Sequence, residues 1–148
     1  HKKVVYDEDI AALVDDEVGR ANERIRLTGL NVSTGMGTKP MATVAIEVDG
    51  ERADGMATGD GGVDATFAAL RQAFPHEVTL KLYAVQAVTS GTDAQARVTV
   101  RLEEDGKMVD GQGADTDTIV ASARAYVHAL NKLLVKRQRT EPPVVLRA

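Results

Sequence analysis

The chain has 148 residues, of which 43% are hydrophobic and 27% are charged, so it can bury a core and is short enough to form one domain. Its 18 basic and 22 acidic residues give a formal charge of −4, and it has three Tyr, two Phe and no Trp. This composition argues against nucleic-acid binding, because it implies neither a basic surface field nor a platform for stacking bases.

Two further absences narrow the class of protein. Cysteine does not occur, which excludes disulfides and thiolate metal sites. Without a signal peptide or an apolar run of about 18 residues, we expect a soluble, cytoplasmic protein that does not enter a membrane.

The first predicted element is a short helix over residues 7–18. Asp7 is placed to cap it, and Ile10, Leu13 and Val14 recur at helical spacing. Gly19 is expected to end this helix.

From Ile25 the hydrophobic period changes to two, which is typical of β strands. Strands are predicted over residues 25–32 and 42–48, and Asp49-Gly50 is a strong hairpin signal that leads into a short strand ending near Thr58. A helix follows and is closed by Pro75. Its apolar face consists of Val63, Phe67, Leu70 and Phe74.

The same order of elements then recurs. Strands are predicted over residues 78–88, over residues 97–102 and up to Gly111, with Asp105-Gly106 as the second hairpin turn. The helix that follows has two aspartates in its first turn, and Asp115, Thr116 or Asp117 is its N-cap. Its apolar residues are Ile119, Val120, Ala123, Tyr126, Val127, Leu130, Leu133 and Leu134. The basic run at residues 136–139 and the two prolines after it predict that the helix ends near Leu134.

The two series of elements align at one offset of 56 positions without gaps. Matches at this offset include Gly35 with Gly91, Gly50 with Gly106, Gly55 with Gly111 and Asp54 with Asp110. The sequence therefore predicts an α+β fold of two internally duplicated β-β-β-α units, with two three-stranded antiparallel sheets and two helices, preceded by the short helix. We assign residues 1–24 to the end of a helical linker, residues 25–77 and 78–134 to the two repeats, and residues 135–148 to a tail.

Two glycine motifs, Gly59-x-Gly61 and Gly111-x-Gly113, precede the predicted helices. Backbone N–H groups at such a turn can hold a carboxylate, while Asp60 or Asp115 approaches an ammonium group. The alternative is that the glycines only shape a strand-to-helix turn. Neither motif is a phosphate loop or a complete dinucleotide fingerprint, so nucleotide binding is disfavoured.

Residues for catalysis are scattered. His1, His76 and His128 have no metal-ligand spacing, and no nucleophile elbow surrounds a serine. Asp115 and Asp117 could form an acid and base pair, but two acids at a helix start more typically cap the helix. We expect that this chain alone is not an enzyme and holds neither a metal nor a cofactor.

Residues 58–65, 89–96, 111–117 and 121–131 resemble the C-terminal regulatory domain of 2-isopropylmalate synthase. The resemblance covers about residues 25–134. It implies an allosteric domain that forms homodimers, binds the feedback inhibitor leucine in leucine biosynthesis, and follows a TIM-barrel catalytic domain. In that family the barrel condenses acetyl-CoA with 2-oxoisovalerate and uses a divalent metal.

The resemblance also implies an effector site between the two repeats, near the dimer interface. The polar contacts carried over are Gly59, Asp60 and Gly61 in the first turn and Ala114, Asp115 and Thr116 in the second. The pocket wall carried over consists of Val63, Leu80, Tyr83, Ala87, Ala94 and Ala96. Gly62 stands where the family often has proline, which would loosen the first turn and weaken effector affinity. Related citramalate and homocitrate synthases use the same type of domain for isoleucine or lysine, and a domain that serves assembly alone is the further alternative.

Overall fold

The computed structural model describes residues 23–90 and 93–140, so the predicted helix at residues 7–18 and the chain after Thr140 lie outside the described residues. Within them, the predicted α+β fold is confirmed. The strands are β1 (Ile25–Ser33), β2 (Met41–Val48), β3 (Glu51–Thr58), β4 (Thr79–Ser90), β5 (Asp93–Glu104) and β6 (Lys107–Asp115). The helices are α1 (Gly62–Ala73), after β3, and α2 (Thr118–Thr140), after β6. Two antiparallel three-stranded sheets have the orders β1-β2-β3 and β4-β5-β6.

Both predicted hairpin turns are present. Asp49 and Gly50 have φ angles of 52° and 87°, and Asp105 and Gly106 have φ angles of 51° and 79°. Two consecutive residues with positive φ give the turn whose twist matches that of the flanking strands. Because Asp and Gly adopt this conformation more readily than other residues, these dipeptides fix the registers of both sheets.

The two helices cover the apolar faces of the two sheets and join the repeats. α1 packs on β3 and β2, α2 packs on β6 and β5, and α2 also contacts α1 and β1. Among the largest fully buried side chains are Ile25, Ile46, Leu70, Leu102, Tyr126 and Leu133. The core is therefore continuous across both units rather than divided between them.

Glycines let each helix approach the third strand of its sheet. A Cβ atom at Gly55 would lie 2.1 Å from the carbonyl oxygen of Ala69, and one at Gly111 would lie 2.2 Å from that of Ala125. The prediction that Gly111-x-Gly113 forms a turn was wrong, because both residues lie inside β6. Their role is close helix-to-strand packing, which requires the absence of a side chain.

The offset of 56 positions does not extend to the first strand of each repeat. Leu30 pairs with Val44, and Tyr83 pairs with Val100. Val44 and Val100 are 56 positions apart, but Leu30 and Tyr83 are 53 apart. The chain from Tyr83 to Val100 is therefore three residues longer than the chain from Leu30 to Val44, and the prediction of a gapless alignment was wrong here.

α2 is longer than predicted, and it begins after Asp117, one of the three residues predicted as its N-cap. It continues to Thr140 instead of ending near Leu134, and its first turn contains no acidic residue. Lys, Arg and Gln favour helices, so a basic run does not stop one. Arg137 also pairs with Glu104 of β5 through Nε and Oε1 at 2.8 Å and through a second contact between Nη2 and Oε2, which holds the added turns against the sheet.

Candidate functional site

The starts of the two helices meet where the repeats join. A Cβ atom at Gly62, the first residue of α1, would lie 2.8 Å from Cδ1 of Ile119 in the first turn of α2 and 3.5 Å from Cγ1 of Val32 in β1. The two segments from which we predicted effector contacts are therefore neighbours. A proline at position 62 would need this space, which gives a physical reason for glycine there.

The two helix starts differ in whether their N–H groups are occupied. Asp117 caps α2, because its Oδ1 accepts hydrogen bonds from the N–H groups of Ile119 (2.7 Å) and Val120 (3.2 Å). Gly61 is the N-cap of α1, where the described residues supply no side-chain hydrogen bond. Since the first N–H groups of a helix have no partner within the helix, the start of α1 can accept an anionic group and that of α2 is already occupied.

Asp115 is engaged in its own turn. Its Oδ2 accepts a hydrogen bond from the Asp117 N–H at 2.9 Å, and its Oδ1 lies 4.0 Å from Nη2 of Arg124. Asp60 is different, because its side chain is 91% exposed and its ion-pair partner Lys39, with Nζ at 3.9 Å, is itself 70% exposed. Asp60 is thus the more accessible carboxylate for a ligand ammonium group.

A cleft of about 300 Å³ runs along one face of α1 from its start to its last turn. It is lined by Thr58, Gly59, Asp60, Asp64, Phe67, Ala68, Arg71, Val78, Leu80 and Tyr126. The cleft includes three of the predicted contacts, Gly59, Asp60 and Leu80. Its volume lies at the lower end of the range for small-molecule sites, which suits a ligand of amino-acid size.

Sequence reasoning missed the residues of α1 and α2 that line this cleft. Asp64, Phe67, Ala68 and Arg71 fall at intervals of three and four, so they share one helix face. That spacing could have identified them once Gly59 and Asp60 were placed at the helix start. Tyr126 was predicted only as one of the apolar residues of α2, and it serves both as core and as cleft wall.

Three aromatic rings form the base of the site. The ring centroid of Phe67 lies 4.5 Å from that of Tyr126 and 6.1 Å from that of Tyr83, with the last pair edge to face at 77°. Oγ of Ser122 donates to the carbonyl of Thr118 at 2.7 Å, so the Tyr83 hydroxyl donates to Ser122 Oγ, also at 2.7 Å. These contacts tie β4 to both helices directly beneath the cleft.

His76 fixes the hydroxyl of Tyr126. Its Nδ1 donates to the carbonyl of Phe74 at 2.5 Å, which leaves Nε2 to accept from the Tyr126 hydroxyl at 2.7 Å. Burial lowers the pKa of His76, and burial also raises the pKa of Tyr126. The pair is therefore neutral at physiological pH.

The other predicted wall residues lie on the helix side of the second sheet. Tyr83 is opposite Val100 and Ala87 is opposite Ala96, and directly paired residues point to the same face. Ala96 is in turn opposite Asp115, while Ala94 lies opposite Thr89. Ala87 and Ala94 are exposed. The row formed by Tyr83, Ala87, Ala94 and Ala96 is therefore not covered by a helix of the described residues at its end away from the cleft.

The remaining predicted contacts are dispersed around the two helix starts. Val63 lies in the first turn of α1 and packs partly against the core. Thr116 lies between β6 and α2 and is exposed. Ala114 precedes Asp115 in β6, so its side chain points to the opposite face of the sheet.

The described residues, 23–90 and 93–140, contain no group of three or more His, Asp or Glu residues that could hold a metal ion. In the same residues no helix has the length and apolar character needed to cross a membrane.

Comparison with known proteins agrees with the family resemblance seen in the sequence. The model of the LeuA allosteric (dimerisation) domain family matches residues 4–134. A 2-isopropylmalate synthase of Caulobacter sp. (strain K31) is 52% identical over 98% of this chain and 28% of its own length. Proteins of the same name from Afipia carboxidovorans and Bradyrhizobium diazoefficiens are 50% and 51% identical over 95% and 93% of this chain and 27% and 26% of their own lengths. This chain thus spans little more than a quarter of these relatives.

Proposed function

We propose that this chain, which belongs to the LeuA allosteric (dimerisation) domain family, is the regulatory domain of a 2-isopropylmalate synthase and binds leucine as feedback inhibitor. The condensation of acetyl-CoA with 2-oxoisovalerate, and the divalent metal it uses, belong in this proposal to a separate catalytic domain of the longer enzyme. The observation that carries the leucine assignment is the cleft that extends from the uncapped start of α1 over an aromatic base.

The cleft offers a partner to each part of an α-amino acid. The unoccupied N–H groups of Val63 and Asp64 suit the carboxylate, and the exposed carboxylate of Asp60 suits the ammonium group. Phe67 and Leu80 provide apolar surface for a branched side chain.

The position of Arg71 supports leucine over lysine as effector. Arg71 lines the end of the cleft that lies away from the start of α1. A lysine bound by its α-groups at the helix start would place its second ammonium group towards this guanidinium, and like charges repel in a partly desolvated site. Isoleucine differs from leucine only in shape, so the choice between them depends on packing against Phe67 and Leu80.

The test is calorimetric titration of this chain with leucine, isoleucine, valine and lysine, at a concentration where light scattering gives its mass. We expect saturable binding of leucine, with affinity at least tenfold above that for lysine, since about 1.4 kcal/mol corresponds to a factor of ten. Preference for isoleucine or lysine would reassign the chain to a sister synthase.

Assembly without an effector is the second candidate function. It is favoured by the apolar side chains that β4 exposes, with Leu80 and Val85 44% and 46% exposed. A folded dimer that binds none of the four amino acids would support this function and overturn the first.

A further inference from the structure

We propose that Asn131 is a positioning residue that couples the effector site to the segment by which the chain enters β1. The inference rests on the proposed function, since it assigns a route from that site to the rest of the protein. The observation that carries it is a buried side-chain amide on α2 that holds the main chain of Arg24 and Ile25.

The side chain of Asn131 makes three hydrogen bonds to that main chain. Its Oδ1 accepts from the N–H groups of Arg24 (2.9 Å) and Ile25 (3.0 Å), and its Nδ2 donates to the carbonyl of Ile25 at 2.9 Å. Asn131 is 2% exposed and Ile25 is fully buried. An amide with both of its ends bonded in a buried place holds a single orientation, so the start of β1 must follow α2.

The other end of α2 belongs to the candidate site. Ser122 accepts the hydrogen bond of Tyr83 at 2.7 Å, and Tyr126 lines the cleft with Gly59 and Asp60. Ser122 and Asn131 are nine positions apart, or ~13 Å along the helix axis. A displacement of α2 at the site therefore reaches Ile25 through one continuous, rigid element.

The first repeat has no such amide, so the contact is not a general requirement of the fold. Pro75 stands 56 positions before Asn131 and lies beyond the end of α1. By contrast, the bonds from the Met56 N–H to Gln72 and from the Gln112 N–H to His128 occur in both repeats, each at 3.0 Å. Those two bonds are a feature that both repeats share, whereas the Asn131 contact is particular to the second repeat.

The location of the Asn131 contact determines which segment a movement of α2 would displace, namely the start of β1. This chain corresponds to a C-terminal part of its longer relatives. Arg24 is also paired with Asp49 of the first hairpin turn, through Nε and Oδ1 at 2.9 Å. The start of β1 is thus fixed to both sheet and helix, directly after the residues that we assign to the end of a helical linker.

The experiment follows backbone and side-chain amide signals of the whole chain by NMR and hydrogen exchange during a leucine titration. We expect the Ile25 N–H and the Asn131 side-chain NH₂ to shift in proportion to saturation. We also expect exchange at Ile25 to slow about tenfold, within the usual range of coupling between sites. This measurement uses the unmodified chain, so it holds even if a variant fails to fold.

Two variants separate coupling from binding. Asn131→Ala should leave leucine affinity within about threefold and reduce the slowing at Ile25 to less than about twofold. Gln72→Ala removes the amide that bonds the Met56 N–H and is the matched control, with the response of Ile25 unchanged. Leucine binding with no response at Ile25 in the unmodified chain, or an equal response in Asn131→Ala, would overturn this inference alone. Absence of leucine binding would overturn it together with the proposed function.

Discussion

His76 is a single residue that makes the stability of the chain depend on pH, and the sequence alone does not reveal this. The imidazole donates to the carbonyl of Phe74 and accepts from the hydroxyl of Tyr126, so its neutral form satisfies both partners. Burial lowers its pKa below the ordinary value of about 6.5. The hydrogen bond to the Phe74 carbonyl opposes burial by raising this pKa, as does Glu104, whereas Arg71 and Arg137 lower it further.

We predict that stability falls as the pH is lowered through the range just below 6.5. There the unfolded chain binds a proton at His76 and the folded chain does not, so the free energy of unfolding rises with pH within this range and is flat above it. One proton limits the slope to about 1.4 kcal/mol per pH unit. The measurement is urea unfolding at pH 7.5 and 5.5 for the natural chain and for His76→Gln, which cannot titrate. An equal loss of stability in both proteins would assign the effect to other groups.

Glycines are the residues whose roles were hardest to derive from the sequence. The spacing of Gly111 and Gly113 is the same in a turn and in a strand that a helix approaches closely. The turn and the closely packed strand are distinguished only by the position of Ala125. Its carbonyl oxygen lies 2.2 Å from where a Cβ atom at Gly111 would be. The hairpin glycines were predictable because Asp-Gly is itself a local signal for positive φ.

At the scale of elements, the caps of the two helices make opposite contributions to stability and binding. Asp117 occupies the first N–H groups of α2, whereas Gly61 leaves those of α1 open. A side chain that caps α1 should stabilise the helix and compete with a bound carboxylate for the same N–H groups.

We therefore predict that Gly61→Asp stabilises the chain by a few tenths of a kcal/mol and weakens leucine binding by at least about tenfold. The new carboxylate bonds the N–H groups and repels the ligand carboxylate. The space is available, because a Cβ atom at Gly61 would have no neighbour within 4 Å. The measurements are urea unfolding and calorimetric titration with leucine.

The matched variant at the other helix is Asp117→Ala, which should cost about 1 kcal/mol of stability and leave leucine affinity within about threefold. If Gly61→Asp bound leucine as tightly as the natural chain, the carboxylate of leucine would not lie at the start of α1.

Element boundaries were predictable where a local signal marks them. β2 ends just before the Asp49-Gly50 turn and β3 begins just after it, and α1 ends at Ala73, two residues before Pro75, as the sequence indicated. The end of α2 was not predictable, because its added turns depend on the pairing of Arg137 with Glu104. These two residues are 33 positions apart. No pattern within the helix itself contains that information.

At the scale of the whole molecule, the duplication predicted the architecture but not the asymmetry that makes a site. The equivalent position to Phe67 in the second repeat is Ala123, and the equivalent to Arg71 is Val127. The described residues accordingly show the amino-acid-sized cleft at the start of α1. Which helix start is open follows from the local caps, Asp117 for α2 and Gly61 for α1. The cleft wall, in contrast, brings Val78, Leu80 and Tyr126 to α1, and these residues are too distant in sequence to be read from spacing.

The asymmetry between the repeats also appears in β4. This strand has apolar side chains on both faces of the sheet, and side chains on both faces are exposed. Leu80 and Val85 point to the helix side and are 44% and 46% exposed, while Leu82 and Val88 point to the opposite side and are each 37% exposed. Strands with apolar residues on both faces are normally covered on both. We expect the covering surface to come from a second copy of the chain.

We predict that Leu82→Asp converts the dimer to a monomer. A buried carboxylate at the contact would be strongly unfavourable, whereas in the monomer the new carboxylate is exposed to water on the same face as Arg101 and is compatible with the fold. Met36→Asp is the control, because Met36 is fully exposed in the segment between β1 and β2 and should not affect assembly. Light scattering coupled to size-exclusion chromatography should show half the natural mass for Leu82→Asp and the full mass for Met36→Asp. A dimer of unchanged stability in Leu82→Asp would place the interface away from β4, and the exposed row at Ala87 and Ala94 would then need another covering surface.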